Sequence, residues 1–338
     1  QADAPFSKIA AIGGASALSA LSVMCALIIF YGATGKFSFI TFAPFLLLLV
    51  PVNLATASAT NVLMIQGNVP ELGLDFNSRA KEVFNNHVIE TKKALANKSK
   101  IDFIVWPENA VDVDPYTNVD VFVQLEAFEQ PLIIGAIVRK DGKLLNTSIL
   151  WGDATQKIYV KQHLTPFGEY IPLRSIASKI SPLVDRVNDF SPGDQGMIFD
   201  IGAARIAPII CFELIDDRLI QSSADQSNLF VVQTNSATFA NTSESAQQLA
   251  ITRIRSIEHA RYSVSVSTVG ISAIIDTNGI VLKSTKENIA ASINGSVALN
   301  ATRTIYDRVG EFAWVLVLLI GLGFGAGLSY AARVGKRR

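Results

Sequence analysis

The chain has 338 residues, 49% of them hydrophobic and 17% charged, and its 29 Lys+Arg balance 29 Asp+Glu. So apolar and neutral a chain lacks the basic field that nucleic-acid binding draws on, and no nucleic-acid partner is expected. The histidines His87, His163 and His259 lie far apart without metal-ligand spacing, so neither a metal nor another cofactor is expected.

The apolar excess sits at the two ends. Segments 9–31, 37–59 and 312–332 are uncharged, and each exceeds the roughly 20 residues that cross a hydrocarbon core as a helix. None shows the polar face of a core helix, and three membrane spans are predicted. Lys36 between the first two spans, and Arg333, Lys336, Arg337 and Arg338 after the last, put those loops in the cytoplasm. The intervening domain then lies outside. The first span would begin outside as well, and a chain that starts at Gln1 reads as an internal fragment, with no cleavable signal peptide. The expected layout is a partial membrane region over 1–59, an extracytoplasmic domain over 60–303, and a last span with a basic tail over 304–338.

Within 60–303, short β-branched runs alternate with amphipathic stretches, the pattern of a layered α/β domain. In chain order, strands are predicted at 62–66, 101–105, 132–138, 145–151, 157–161, 205–211, 228–233, 263–268, 272–276 and 280–284. Asp141-Gly142 and Asn278-Gly279 mark hairpin turns. Helices are predicted at 78–96, 119–128, 213–222 and 243–261. In the last, Ala246, Ala250, Ile254 and Ile257 recur at helical spacing, leaving Arg253, Arg255 and Glu258 on other faces, where solvation would account for them.

Three predicted strands end in groups that carry chemistry. Ile104-Val105-Trp106-Pro107 leads to Glu108, Tyr159-Val160 to Lys161, and Pro208-Ile209-Ile210 to Cys211. Their spacings of 53 and 50 residues suit three strands delivering side chains to one rim. The other cysteine, Cys25, lies in the first apolar run, so Cys211 is read as a free thiol. With a pKa near 8.5 a thiol is only partly ionised at neutral pH and needs a base and a cation beside it. Glu108 would be the base and Lys161 the cation. Glu169 and Glu213 are further carboxylates that could converge on the lysine. Lys161 and the backbone N–H of Phe212 are placed to receive developing oxyanion charge. The bland alternative for Lys161 and Glu169 is a surface ion pair at a loop.

This trio resembles the Glu-Lys-Cys triad of the nitrilase, or carbon–nitrogen hydrolase, superfamily. Together with the apolar segments it is similar to the apolipoprotein N-acyltransferase family of bacterial membrane enzymes. The likeness extends over Gln66-Gly67-Asn68-Val69-Pro70, Thr234-Asn235, Gln247-Gln248-Leu249, Arg253, Arg255, Glu258-His259-Ala260-Arg261 and Gly270-Ile271-Ser272-Ala273. It implies a four-layer α-β-β-α sandwich flanked by transmembrane helices, where spacing alone would allow other α/β folds. It also implies eight spans, of which about five would precede Gln1. The implied reaction passes a fatty acyl group from a membrane phospholipid, through a Cys211 thioester, to the α-amino group of the diacylglyceryl-cysteine of an apolipoprotein. The implied setting is the bacterial cytoplasmic membrane, with the catalytic domain on its extracytoplasmic side. Partners would be the phospholipid donor, the diacylglyceryl-modified acceptor and the bilayer.

By the same resemblance Glu169 and Glu213 support the site and Asn235 reaches the pocket, although a polar residue at a strand end is as often a turn former. Gln66 and Asn68 read as pocket architecture, and His163 as a hydrogen-bonding neighbour. Segment 171–190, apolar with interspersed Arg174, Lys179 and Arg186, suits either a lipid-facing arm or a cover on the sandwich. Phe212, Ser236 and the loop near Leu74 depart from residues many family members carry, which puts lipid selectivity in question rather than the triad. Two other functions fit the sequence less well: a membrane-tethered amidase or nitrilase that passes the acyl group to water, and an inert lipoprotein-binding scaffold.

Overall fold

The computed structural model describes residues 2–33, 58–69, 81–97, 99–153, 156–174, 178, 189–237 and 242–310. The predicted spans over 37–59 and 312–332, Lys36, the basic tail, Leu74 and most of segment 171–190 lie outside the described residues, apart from the two residues that open β1.

Helix α1 (Ala10–Ala33) comes first, then β1 (Ser58–Gln66), α2 (Glu82–Leu95), β2 (Phe103–Val105), α3 (Val119–Glu126), β3 (Leu132–Lys140), β4 (Lys143–Trp151) and β5 (Ile158–Val160). After these follow β6 (Phe199–Ile201), β7 (Ala204–Ile210), α4 (Asp217–Gln226), β8 (Leu229–Thr234), α5 (Glu244–His259), β9 (Tyr262–Ser267), β10 (Ala273–Ile275), β11 (Val281–Ser284), β12 (Ala291–Leu299) and α6 (Ile305–Val309).

Two six-stranded sheets result, ordered β12-β1-β2-β3-β4-β5 and β11-β10-β9-β8-β7-β6. Each has a parallel trio, β1-β2-β3 in one and β7-β8-β9 in the other, continued by antiparallel strands. The sheets face each other across one apolar layer, where Val62, Met64, Phe103 and Ile133 meet Phe199, Ile206, Val231 and Val264. On the outer side of the first sheet, Phe84, Val88, Val121 and Leu125 bring α2 and α3 onto Leu63, Ile104 and Ile134. On the outer side of the second, Ile220 and Ala224 of α4 pack on Ile209, Phe230 and Val232, with Ile251 of α5. The order is therefore helix, sheet, sheet, helix, and strands buried on both faces read as the continuous apolar runs seen in the sequence.

Two strands and a helix escaped the sequence reading. The three residues of β6 are too few to show a period. Strand β12 alternates small and polar residues around Asn294-Gly295, which reads as a turn. A Cβ on Gly295 would press on the end of the Ile274 side chain in the opposite sheet, so glycine leaves that side chain its room. The short helix α6 is set by a capping box, Thr304 with Asp307. The predicted helix at 213–222 is a 3₁₀ turn, Cys211–Ile215, followed by α4.

Arg255 and Glu258 are buried rather than solvated. Arg255 donates from Nε to the Leu214 carbonyl (2.8 Å), from Nη1 to Glu258 (2.7 Å) and from Nη2 to Asp217 (2.5 Å). Glu258 in turn accepts the Ala15 N–H at 2.5 Å. Helix α1 is broken there, with Gly14 at φ +67 and a Cβ on it 2.7 Å from the Tyr306 ring, so only glycine fits. Glu258 thus caps the continuing helix, where free N–H groups and the dipole favour a carboxylate. Beyond the break the helix is apolar, with Val23, Ile29 and Phe30 exposed. Ser7–Phe30 has a mean hydropathy of 2.1 and is the one stretch among the described residues long and apolar enough to cross a membrane.

Candidate active site

Both parallel trios point their carboxyl ends toward the same rim, the usual ligand edge of parallel sheets. From the first sheet come Gln66 at the end of β1, Glu108 three residues beyond β2, and Lys161 directly after β5. From the second come Cys211 directly after β7 and Asn235 directly after β8. Gly135 of β3 lies beneath the Glu108 backbone, since a Cβ there would meet Pro107 O at 2.3 Å and Glu108 Cα at 2.6 Å. Gln233 of β8 donates to the Trp106 carbonyl at 2.7 Å, tying the second sheet to the segment that carries Glu108.

Lys161 is 1% exposed. Its Nζ lies 3.1 Å from Glu108 Oε1, 2.8 Å from Glu169 Oε2 and 3.3 Å from Thr165 Oγ1. Burial alone would lower its pKa, but the charges of Glu108, Cys211 and Glu169 outweigh that and hold it above the ordinary lysine value. The surface-pair alternative therefore fails on burial. Asn146, in the middle of β4, donates to both carboxylates, at 2.8 Å to Glu108 and 2.5 Å to Glu169. The Thr165 N–H completes the Glu169 contacts at 2.7 Å. Nothing in the sequence singled out Asn146; a polar residue inside an apolar strand was the available signal.

Cys211 has φ +50. For a residue with a Cβ this is a strained conformation, costing on the order of 1–3 kcal/mol, that survives only where neighbours enforce it. Glu213 enforces it. Its Oε2 accepts the Ile210 N–H (2.8 Å), and its Oε1 accepts Tyr159 OH (2.7 Å) and the N–H groups of Gln162 (2.7 Å) and His163 (3.3 Å). Burial pushes the Glu213 carboxyl up despite these bonds. This corrects one expectation: among the described residues Lys161 pairs with Glu108 and Glu169 rather than Glu213, which ties the Cys211 turn to the loop that follows the lysine. The Cys211 thiol is half-buried and accepts a hydrogen bond from Gln248 Nε2 at 3.2 Å. Burial, then Glu108, push the thiol's pKa well above its usual value, with Lys161 pulling less strongly the other way.

The remaining candidates are arranged around this centre. Phe212 stacks edge-on with His163, their rings 5.3 Å apart, and His163 Nδ1 lies 3.0 Å from Asp216. The oxygen of Asn235 accepts from Thr268 Oγ1 (2.8 Å) and the Ala237 N–H (3.1 Å), so this residue forms a turn at the rim. The Gln66 carboxamide is fully engaged, donating to the carbonyls of Lys286 and Ile289 and accepting from Ser272 and Thr285. Both ends of segment 171–190 are pinned beside the site. The Phe190 N–H meets the Glu169 carbonyl at 2.7 Å, and Arg174 pairs with Asp189 at 2.6 Å.

Residues 64–305, which include this rim and both sheets apart from the first residues of β1, match one family model, Carbon-nitrogen hydrolase. The chain belongs to the carbon–nitrogen hydrolase family. Solved members with the same fold include a carbon–nitrogen hydrolase from Helicobacter pylori (TM-score 0.54, 13% identity, 75% of this chain and 94% of that one). Another is Saccharomyces cerevisiae Nit3, a member of branch 10 of the nitrilase superfamily (TM-score 0.51, 15% identity, 76% and 94%). Among curated relatives, the apolipoprotein N-acyltransferase of Mycolicibacterium smegmatis is 34% identical over 78% of this chain and 48% of its own length. That of Geobacter metallireducens is 31% identical (82% and 54%), and that of Haemophilus influenzae is 26% identical (98% and 69%). The chain thus spans about half the length of the first two of these relatives.

Proposed function

We propose that this carbon–nitrogen hydrolase-family chain is an apolipoprotein N-acyltransferase that takes a fatty acyl group from a membrane phospholipid and delivers it to the α-amino group of a diacylglyceryl-cysteine. The observation that carries the reading is a free thiol held beside a buried lysine with two carboxylates, in a chain that also bears an apolar helix long enough to span a bilayer. Likeness to enzymes of that name, across 98% of the chain in one case, supports it.

In the first half-reaction Glu108 takes the proton of Cys211 and the sulfur bonds to the ester carbonyl carbon. A base is needed at that moment because the resting thiol is held protonated by its surroundings. Charge gathering on the carbonyl oxygen faces the permanent Lys161 ammonium and the Phe212 N–H. As the oxyanion collapses the C–O bond breaks, Glu108 returns the proton to the departing alcohol oxygen, and lysophospholipid leaves an acyl thioester on Cys211. In the second, the acceptor's amine nitrogen attacks the thioester carbon, the C–S bond breaks, and the proton shed by the nitrogen passes through Glu108 to the Cys211 thiolate. Glu169 fixes the lysine, Glu213 fixes the nucleophile turn, and Asn235 shapes the rim.

The remaining elements of the reading are membrane spans over 9–31, 37–59 and 312–332, a catalytic domain over 60–303 outside the cytoplasmic membrane, and a lipid-facing arm over 171–190. Lys140 and Lys143, both exposed, should then react with a membrane-impermeant amine reagent on intact spheroplasts; labelling only after lysis would refute the orientation. The reaction is tested by mass spectrometry of a diacylglyceryl-cysteine peptide incubated with phospholipid and enzyme. The expected product carries one more acyl chain, on its amino nitrogen. Free fatty acid with unmodified peptide would point to a hydrolase instead.

A further inference from the structure

Helix α5 begins at Glu244, and one turn on, Gln248 donates to the Cys211 sulfur at 3.2 Å. Residues four apart stack on one helical face, so Glu244 lies on the face turned to the thiol. Its charge acts on both Cys211 and Glu108. Among the other carboxylates of the site, Glu108 receives Lys161 and Asn146 on Oε1, Glu169 is held by Lys161, Asn146 and Thr165, and Glu213 by four donors. Glu244 has a hydrogen bond from Ser236, but its Oε2 is buried with no partner among the described residues. Nothing in the first half-reaction uses it. A buried acceptor without a donor is costly, and such an exception calls for a ligand that supplies one.

The two substrates differ in what they offer. A phospholipid ester presents only acceptor oxygens at its reacting centre. The acceptor's α-amino group, with an ordinary pKa of about 8, arrives as an ammonium with three N–H donors. It must lose a proton before its lone pair can attack. The groups facing Glu244 add up to a cation site: Glu108 and Glu287 contribute negative charge, and Lys161 is already engaged by Glu108 and Glu169.

Resting on the acyltransferase reading, we propose that Glu244 binds the acceptor's α-ammonium and takes its proton, making it a catalytic residue of the second half-reaction. One N–H proton moves to Glu244 Oε2, the freed nitrogen bonds to the thioester carbon, Glu108 takes the second proton that this nitrogen sheds, and as the C–S bond breaks Glu108 passes that proton to the Cys211 thiolate. The Glu244 proton leaves to solvent when the product departs. Burial, with Glu108 and Glu287 adding to it, raises the Glu244 carboxyl above its ordinary range, the direction that improves a proton acceptor.

The test uses the membrane-reconstituted enzyme, labelled phospholipid and two nucleophiles: a diacylglyceryl-cysteine peptide and hydroxylamine, which is largely uncharged at pH 7. In Glu244→Gln, transfer to the peptide should fall on the order of 10²-fold, the loss of one general base, while acyl-enzyme accumulates. Its peptide rate should climb with pH toward wild type as the free amine becomes abundant, and Glu244→Asp should recover part of the loss. Hydroxylamine should discharge wild type and variant at equal rates. Peptide and hydroxylamine rates falling together, or neither changing, would overturn the proposal. If the wild type itself forms no acyl-enzyme, the acyltransferase reading fails first and this proposal with it.

Discussion

At the scale of single residues, Lys161 connects stability to chemistry. Removing a buried ammonium from two carboxylates leaves uncompensated charge, which costs about 3–5 kcal/mol, so Lys161→Met should lose both stability and activity. Glu108→Gln keeps the Lys161–Glu169 pair at 2.8 Å and an amide able to bond Asn146. It should retain most of the stability while turnover drops on the order of 10²-fold or more, through loss of the base. Calorimetry with single-turnover assays separates the two. A Glu108→Gln enzyme that turns over near the wild-type rate would remove Glu108 from the mechanism.

What could be read in the sequence follows the same physics. Glu108, Lys161 and Cys211 were legible because each interrupts an apolar run at its end, where a strand meets a loop. Asn146 was not, since its meaning depends on two carboxylates 38 and 23 residues away. Glu213 was read as a partner of the lysine, because a carboxylate two residues from Cys211 has no visible address until the backbone donors around it are in place. Arg255 and Glu258 were read as solvated because the Leu214 carbonyl and the Ala15 N–H that bury them come from remote segments.

Among the elements, α2 shows how two buried groups work against each other. His87 lies inside it, accepting the Gly67 N–H on Nε2 (3.1 Å) with Nδ1 2.7 Å from the Val83 carbonyl. Burial lowers its pKa to about 4. The unfolded chain therefore binds this proton first, and the stability His87 confers is present above about pH 6.5 and is lost as pH falls toward 4. Asp112 faces the first N–H groups of the same helix, those of Lys81, Val83 and Phe84, and burial raises its carboxyl to about 6. Its sign is opposite: the folded form holds the proton longer, so stability falls as pH rises from the ordinary aspartate value to about 6. The two slopes nearly cancel over one window. Asp112→Asn should therefore gain up to about 3 kcal/mol on the wild type between pH 4 and pH 7, two pKa units converted at about 1.4 kcal/mol each. Denaturant midpoints at the two pH values check this, and a pH-independent difference would contradict it.

The predicted strands were mostly right to within a few residues because apolar strand cores and the Asp141-Gly142 hairpin carry strong local signals; Asp141 and Gly142 both have positive φ. Strand β12 was missed because its fit depends on the opposite sheet, with Gly295 yielding space to Ile274.

For the whole molecule, two facing sheets with parallel trios, and β5 running parallel to β3 across β4, bring the strand-end groups to one rim: Gln66, Glu108 and Lys161 from one sheet, Cys211 and Asn235 from the other. The apolar helix α1 is tied to this body through Glu258 and Arg255, the latter also holding the turn that carries Cys211. An acyl donor drawn from a bilayer would meet the thiol in a frame already joined to a membrane-length helix. In the proposed reaction the acyl group rests on Cys211 between donor and acceptor. The most direct measurement is mass spectrometry of the enzyme after incubation with labelled phospholipid and no acceptor. One hydroxylamine-sensitive acyl group is expected on the Cys211 peptide, absent from Cys211→Ala and discharged when the diacylglyceryl-cysteine peptide is added. Acylated peptide formed by Cys211→Ala at a rate near that of the wild type would contradict this route.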